Sequence, residues 1–517
     1  MTAAETPRAF AEPGAPSLWQ LTGPQPVGDD SLPERADVVI AGGGLAGLST
    51  ALELTRTGQR VVVVESHELG GRTTARTTGK VSLLQGSTAS QVRSHAGDDG
   101  VAAYLEANAA GAAWIRDQFS AVPGAWEERT AYTYATTPEG KKSLRSEADA
   151  MAVGGRPVIV RGAQDAGAIG LPYAVSGALA LHEQAQLHPL VAAAALVDRI
   201  RAAGGVLVDH CRMTGMHARG GGVDVETTRG SIVADRLIVA TGSPVADRSM
   251  LFATLKPQRQ AVVAFRMPEG QDAPEGMYLS VDPVGRSVRP SVDRDGAPVI
   301  VVAGGDLVTG RADRIGDLRD GILAWTREHF PGAIPLTWWA AQDYKMTNAV
   351  PFAGTVTGGK DRIYALTGFA KWGMTNAAAA AIAVTGELNG RPPQWHRRLH
   401  DRRPSVRDVV DTVSANASVG AHMVSGWAAP GSGSAESPER ARVERHGIHP
   451  VAESTVDGVT CRVSAVCTHL GGIVRWNDAE RSWDCPLHGS RFAPDGTVIE
   501  GPAAHDLAPA AEDEVHE

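Results

Sequence analysis

Cysteine is scarce, with four residues in a chain of 517. That excludes a disulfide framework, so each cysteine is read for ligation or burial. Long apolar runs are missing as well. None approaches the roughly 18 residues that cross a bilayer, and no membrane span is expected. Basic clusters are equally absent: no block of about five or more lysines and arginines occurs. With a formal net charge of −9, the chain offers neither nucleic acid nor an anionic membrane a surface to bind. The opening MTAAETPRAFAEPGAP has no charged-then-apolar leader and no twin arginine, which leads to the expectation of a cytoplasmic protein.

What is present is ordinary for a folded protein, 43% hydrophobic and 21% charged, and the length suggests about three domains. Residues 1–30 read as an extended Pro/Gly/Ala-rich arm that Trp19 anchors to the body. From Asp37 the run DVVIAGGGLAGLSTALELTRTGQRVVVVE reads as strand, glycine turn, amphipathic helix and second strand, a βαβ unit. HPLVAAAALVDRIRAAGGVLVDH repeats the helix-to-strand pattern, with Pro189 in a first helical turn and Gly204 past the end. The segment after Trp427, AAPGSGSAESPER, has the composition of a flexible linker. Beyond it, short strand and loop patterns surround Cys and His.

Gly42-Gly43-Gly44-Leu45-Ala46-Gly47 fits GxGxxG. Gly42 permits the tight turn out of the strand, Gly44 lets backbone approach a pyrophosphate, and Gly47 lets helix and strand pack closely. The helix start turns its positive dipole end to the phosphates. Glu65, eighteen residues past Gly47, ends the second strand where a carboxylate accepts ribose hydroxyls. The fingerprint alone does not choose between FAD and NAD, which share an ADP half; a glycine-rich turn of a non-binding α/β domain is the plain alternative. A second turn, Leu69-Gly70-Gly71-Arg72-Thr73-Thr74, follows the acid directly. With these two turns the chain resembles FAD-dependent oxidoreductases of the glycine-oxidase and D-amino-acid-oxidase type, in motifs scattered over about residues 36–390. The resemblance implies FAD held by Gly71, Arg72 and Thr73 near the pyrophosphate and by the Met213 backbone at the adenine. It places Gly242 of Ala240-Thr241-Gly242 near the diphosphate. Gly368, Gly373, Met374 and Thr375, after the strand IYALTG, would present helix-start N–H groups to the flavin pyrimidine or ribityl chain. Met213 equally fits a core methionine, and residues 368–375 a simple strand-to-helix turn. VIVVAGGDLVTG lacks the spacing of a second fingerprint, so a separate NAD(P)H domain is not expected.

Cys467-Thr468-His469, fifteen residues, then Cys485-Pro486-Leu487-His488 gives two Cys/His ligand pairs. Two thiolates and two imidazoles also bind zinc, yet zinc fingers pair CxxC with HxxxH, whereas here Cys and His alternate. The run CTHLGG, CPLHGSRF, DG, EGPA resembles Rieske proteins over about residues 440–510. In those a [2Fe–2S] cluster takes two thiolates on one iron and two imidazoles on the other, which implies Cys467, His469, Cys485 and His488 as ligands. Gly472 and Leu487 stand where respiratory Rieske proteins carry a loop-bridging disulfide. Ser490 is retained, but Phe492 replaces a tyrosine, so a potential below the high-potential class is expected. A Rieske oxygenase would need a further iron on two His and a carboxylate, and no such spaced set stands out. Cys211 and Cys461 read as structural.

The expected fold class is α/β: a Rossmann-like FAD-binding domain with an interleaved α+β substrate domain, plus a small all-β Rieske domain. The FAD-binding parts fall at about 36–85, 186–245 and 341–390, and the substrate domain at about 86–185 and 250–340. Together they make a body of residues 31–400. A helical connector and linker, 401–442, leads to the Rieske domain, 443–510. The implied function is oxidation of a small amine, amino acid or related metabolite, with electrons passing between flavin and cluster and an external electron acceptor or donor. One alternative is an electron-transfer protein without a metabolite substrate; another is an oxygen-using oxidase on which the Rieske domain is a docking element. Arg72, Lys80, Tyr344, Lys371 and Trp372 could shape the flavin face, and none is singled out as catalytic.

Overall fold

The computed structural model describes residues 14–162, 169–245, 250–311, 315–359, 361–401, 404–428, 441–446 and 449–510. The first part of the N-terminal arm and the Gly/Ser/Pro linker lie outside the described residues. Where the arm is described it departs from an extended chain. Leu18–Thr22 is a helical turn capped by Ser17, and the Trp19 indole N–H donates to the Thr77 carbonyl at 2.6 Å, fixing the turn to the body.

Two sheets build that body. The first has eight strands, with Arg35–Ala41 at its centre between Val61–Val64 and Gly230–Gly242, all parallel. Such strands are covered on both faces, which is why they read as near-continuous Val and Ile runs; Val61–Val64 is buried throughout. The helix Leu45–Thr55 is buried along almost its whole length. It lies so close to the preceding turn that a Cβ on Gly47 would fall 1.9 Å from the Gly42 carbonyl oxygen. No other residue fits there.

The second sheet has nine strands running from Ile334–Met346 at one edge to Lys80–Val81 at the other. Its members alternate in sequence with those of the first sheet, so the two lobes are interleaved. Ile334–Met346 pairs antiparallel with Leu255–Arg266 along nearly its full length. That strand runs through residue 340, and Lys80–Val81 also pairs within this sheet. The expected junctions near 85 and 340 therefore fall beside or inside strands of the second sheet. Met213 opens the strand Met213–Ala218.

Past the helix Val406–Ala428 the chain forms two small antiparallel sheets of three and four strands. Trp483 and Phe492 are fully buried between them.

Candidate functional site

A deep cavity lies where the carboxyl ends of the parallel strands meet the second sheet, the place where ligands bind in open α/β folds. At one end Gly42, Gly44, Glu65 and Met213 form the wall, and Gly71, Arg72 and Thr73 continue it. Gly242 borders the first glycine turn, where a Cβ on Gly42 would lie 3.2 Å from Thr241 N, and Gly373 and Met374 line the wall as well. Gly47 packs helix on strand. Two of the residues expected at the flavin end are not wall residues: Gly368 abuts Met346, and the Thr375 hydroxyl turns away to donate to Asn108 Oδ1 at 2.6 Å.

The Glu65 carboxylate is fixed by backbone, accepting from Gly43 N at 2.7 Å and His67 N at 3.0 Å. Arg72 Nε and Arg76 Nε are buried without a hydrogen-bond partner. Burial depresses both guanidinium groups, Arg76 to about 10. Unspent cationic donors on a glycine-walled cavity fit the anionic diphosphate of FAD. His67, pushed down to about 3 by burial and by Arg72 and Arg212, is neutral and accepts from Arg72 Nη2 at 2.8 Å.

Opposite the adenosine end stands Asp343, which sequence reasoning missed. It is a half-buried wall residue of the cavity, and burial pushes it up to about 6. It accepts from Tyr344 N at 2.7 Å and from Lys371 N. Ala370 and Lys371 both have left-handed φ, 50° and 72°, so this carboxylate ties down a strained turn just before the helix Gly373–Leu388. Lys80 is buried behind Thr78 on the hydroxyls of Ser287 and Thr78, pushed down to about 7 by burial and Arg289. It is not part of the cavity wall.

The C-terminal domain carries the four Cys and His positions on two loops, and folding sorts by type what the sequence alternates. The thiols of Cys467 and Cys485 share a hydrogen bond that draws Cys467 down to about 7, helped by Ser490, and pushes Cys485 up. The rings of His469 and His488 stand 5.1 Å apart. Among the described residues no three His, Cys, Asp or Glu side chains form a single-ion cage; the set comes as two pairs. His488 Nδ1 is buried and has no hydrogen-bond partner, as suits an iron ligand. Two thiols paired and two imidazoles paired fit a [2Fe–2S] cluster with sulfur on one iron and nitrogen on the other. A Cβ on Gly472 would lie 2.6 Å from Leu487 Cγ, so Leu487 fills the gap where a disulfide brace is missing.

This domain sits directly on the flavin lobe. Phe252 meets the rings of His469 and His488 edge-on, each at 4.9 Å. Arg311 Nε donates to the Pro486 carbonyl at 2.9 Å, and Gln342 Nε2 to that of Gly489 at 2.9 Å. Ile499, Glu500 and Gly501 line the same cavity as the glycine turns. None of these cross-domain contacts has a local sequence signature. Among the described residues, no helix is long and apolar enough to cross a membrane.

Comparison with known proteins agrees with both halves. Residues 37–386 match the family DAO, described as FAD dependent oxidoreductase, and residues 435–511 match the Rieske [2Fe-2S] domain. The Bacillus subtilis (strain 168) protein YhfW, which carries a Rieske 2Fe-2S iron-sulfur designation, is 31% identical over 92% of this chain and 93% of its own length. Among solved structures, glycine oxidase from Geobacillus kaustophilus aligns with a TM-score of 0.59 at 17% identity, covering 70% of this chain and 96% of that one. L-proline dehydrogenase from P. horikoshii aligns with a TM-score of 0.59 at 15% identity, also covering 70% and 96%. With a cavity suited to FAD, thiols and imidazoles paired for a [2Fe–2S] cluster, and matches over both regions, the chain belongs to the DAO family of FAD-dependent oxidoreductases and carries a Rieske domain at its C-terminal side.

Proposed function

We propose that the protein oxidises a small amine, amino acid or related metabolite and passes the electrons through the cluster to an external one-electron partner. FAD supplies two-electron acceptance from a C–H or C–N bond, and the cluster supplies one-electron transfer. In this reading Glu65 and Met213 hold the adenosine end, and Gly42, Gly44, Gly71, Arg72 and Thr73 the diphosphate. Gly242 stands near the diphosphate, and Gly373 and Met374 bound the flavin end. Cys467 and Cys485 take one iron, His469 and His488 the other.

The observation that carries the reading is the seat of the second ligand loop. His488 and Gly489 rest on Phe252 and Gln342, and Gln342 is a wall residue of the flavin cavity. The ligand loop and that cavity thus share one side chain. The substrate class draws support from the fold neighbours, which are named for glycine and L-proline. It also draws support from a wall of Thr77, Thr78, Gln258 and Gln260, neutral polar groups suited to a small polar molecule. An outward route for electrons is available at His469, which is half-buried between exposed Thr468 and Leu470.

Anaerobic mixing of the holoprotein with small amines and amino acids tests this. Flavin bleaching followed by the paramagnetic signal of the reduced cluster is expected. Bleaching that never reaches the cluster breaks the relay, and a flavin that no such donor bleaches favours the substrate-free electron-transfer protein.

A further inference from the structure

Three wall residues of the flavin cavity reach across to the Rieske domain. Arg212 donates to the Val498 carbonyl at 2.8 Å, Tyr344 to Gly501 at 3.2 Å, and Gln342 to Gly489 at 2.9 Å. Val498 and Gly501 are remote in sequence from the cluster ligands; Gly489 is bonded to His488. We infer that Gln342 is the residue that couples the flavin site to the cluster, with Thr309 positioning it, an inference that rests on the relay proposed above and names its path.

The amide of Gln342 has one orientation. Its Oε1 accepts from the Thr309 hydroxyl at 2.8 Å and lies 3.4 Å from Arg259 Nη1. Nε2 must therefore face the two acceptors on its other side, the Tyr344 hydroxyl at 2.8 Å and the Gly489 carbonyl. Gln342 and Thr309 are each 1% exposed, so no water competes for these bonds. At the flavin end the Gln342 backbone carbonyl accepts from the Thr73 hydroxyl at 3.1 Å, within the turn that follows Gly71 and Arg72. Two hydrogen bonds and otherwise covalent links thus join the flavin turn, through Gln342 and Gly489, to His488. The contact is built for close approach: Gly489 has φ +80°, and a Cβ there would lie 2.5 Å from Pro257 Cβ. Phe252 touches both histidine rings but is not a wall residue of the cavity.

In this step one electron leaves the reduced flavin, which releases a proton to solvent, and the oxidised cluster is reduced by one. An external one-electron acceptor reoxidises the cluster before the second electron follows.

The test uses full-length holoprotein, with the flavin reduced by a laser flash in the presence of deazaflavin and EDTA and electron arrival followed at the cluster absorbance. No substrate is needed. Gln342→Met is expected to slow arrival on the order of tenfold, inside the roughly hundredfold that a 1 Å misplacement of reacting groups can cost. It is also expected to speed amide exchange across residues 485–490, while leaving the cluster midpoint potential and the small-angle scattering profile unchanged. Thr309→Val, which removes the shorter of the two bonds to Gln342 Oε1 and so loosens the amide, gives a smaller slowing and serves if Gln342→Met does not fold. Unchanged rates in both variants overturn the assignment. So does slowing that appears only with an expanded scattering profile, which would make Gln342 a fastener and no more. A wild-type cluster that never receives the flash electron sinks the relay itself, a distinct result.

Discussion

At the scale of single residues, Asp343 has the clearest measurable consequence. Burial disfavours its charged form and raises it to about 6 from an ordinary 3.8, although Tyr344 N and Lys371 N donate to it. Because the folded value is the higher one, folding binds the extra proton between the two values. Its contribution to stability therefore falls as pH rises from 3.8 toward 6 and stays unfavourable above. That cost is borne where the strained Ala370 and Lys371 turn meets the flavin end of the cavity. The flavin absorption of the resting protein is expected to shift with an apparent pKa of about 6, and Asp343→Asn to abolish the transition. A wild-type spectrum that stays flat through that range would count against the carboxylate's role. Nothing in AAQDYKM marks this aspartate. Its environment is made by a turn 28 residues further on, and only the fold brings the two together.

At the scale of elements, the helix Gly373–Leu388 shows what a local pattern does and does not contain. Its start, after a strand and a glycine turn, was legible, and Gly373 and Met374 do reach the cavity. Thr375 does not, because each helical step rotates the side chain by about 100°, which turns it toward the neighbouring helix Thr88–Phe119. There Gln85, Tyr104, Asn108, Thr375 and Asn376 satisfy one another in a buried network. Thr375→Val is expected to cost about 0.5–1.5 kcal/mol in unfolding free energy, since it removes the hydroxyl's bonds to Asn108 and Gln85 while both keep other partners, and FAD content stays at the wild-type level; loss of flavin without loss of stability would return Thr375 to the cofactor site. The βαβ unit and the paired Cys/His loops were readable for the same reason that the helix start was: their chemistry is set by spacing within a few residues. The extent of Ile334–Met346, and with it the place of Gln342, depends on pairing with a strand some 80 residues away, which periodicity in the sequence does not encode.

At the scale of the whole molecule, the two domains are locked by one cation placed among acids of the other. Arg259, 3% exposed, pairs with Glu480 and with Glu500 at 3.1 Å, while Arg491 pairs with Glu480, Asp484 and Glu500 from the Rieske side. Burial alone would raise Glu500, but Arg491 and Arg259, aided by Arg72 and Arg76, bring it down to about 2. Its folded value is thus the lower one, and the stabilisation it brings is complete above the ordinary 4.5 and is lost as pH falls toward 2. Acid should therefore weaken this lock only as pH falls below 4.5 toward 2, late in the titration of the carboxylates. Arg259→Met removes the lock at neutral pH. It leaves two buried carboxylates short of a partner, a loss of about 3–5 kcal/mol when one member of a buried pair is deleted. Because Ile499, Glu500 and Gly501 wall the flavin cavity, release should also open the cofactor to solvent. The variant is expected to show a larger radius of gyration, faster appearance of free FAD fluorescence on dilution, and slower flavin-to-cluster transfer, all three together. Retention of wild-type compactness with unaltered FAD release would mean that the remaining contacts, among them those at His67, Arg212, Phe252, Arg311, Tyr344 and Gln342, hold the domain without the buried charges.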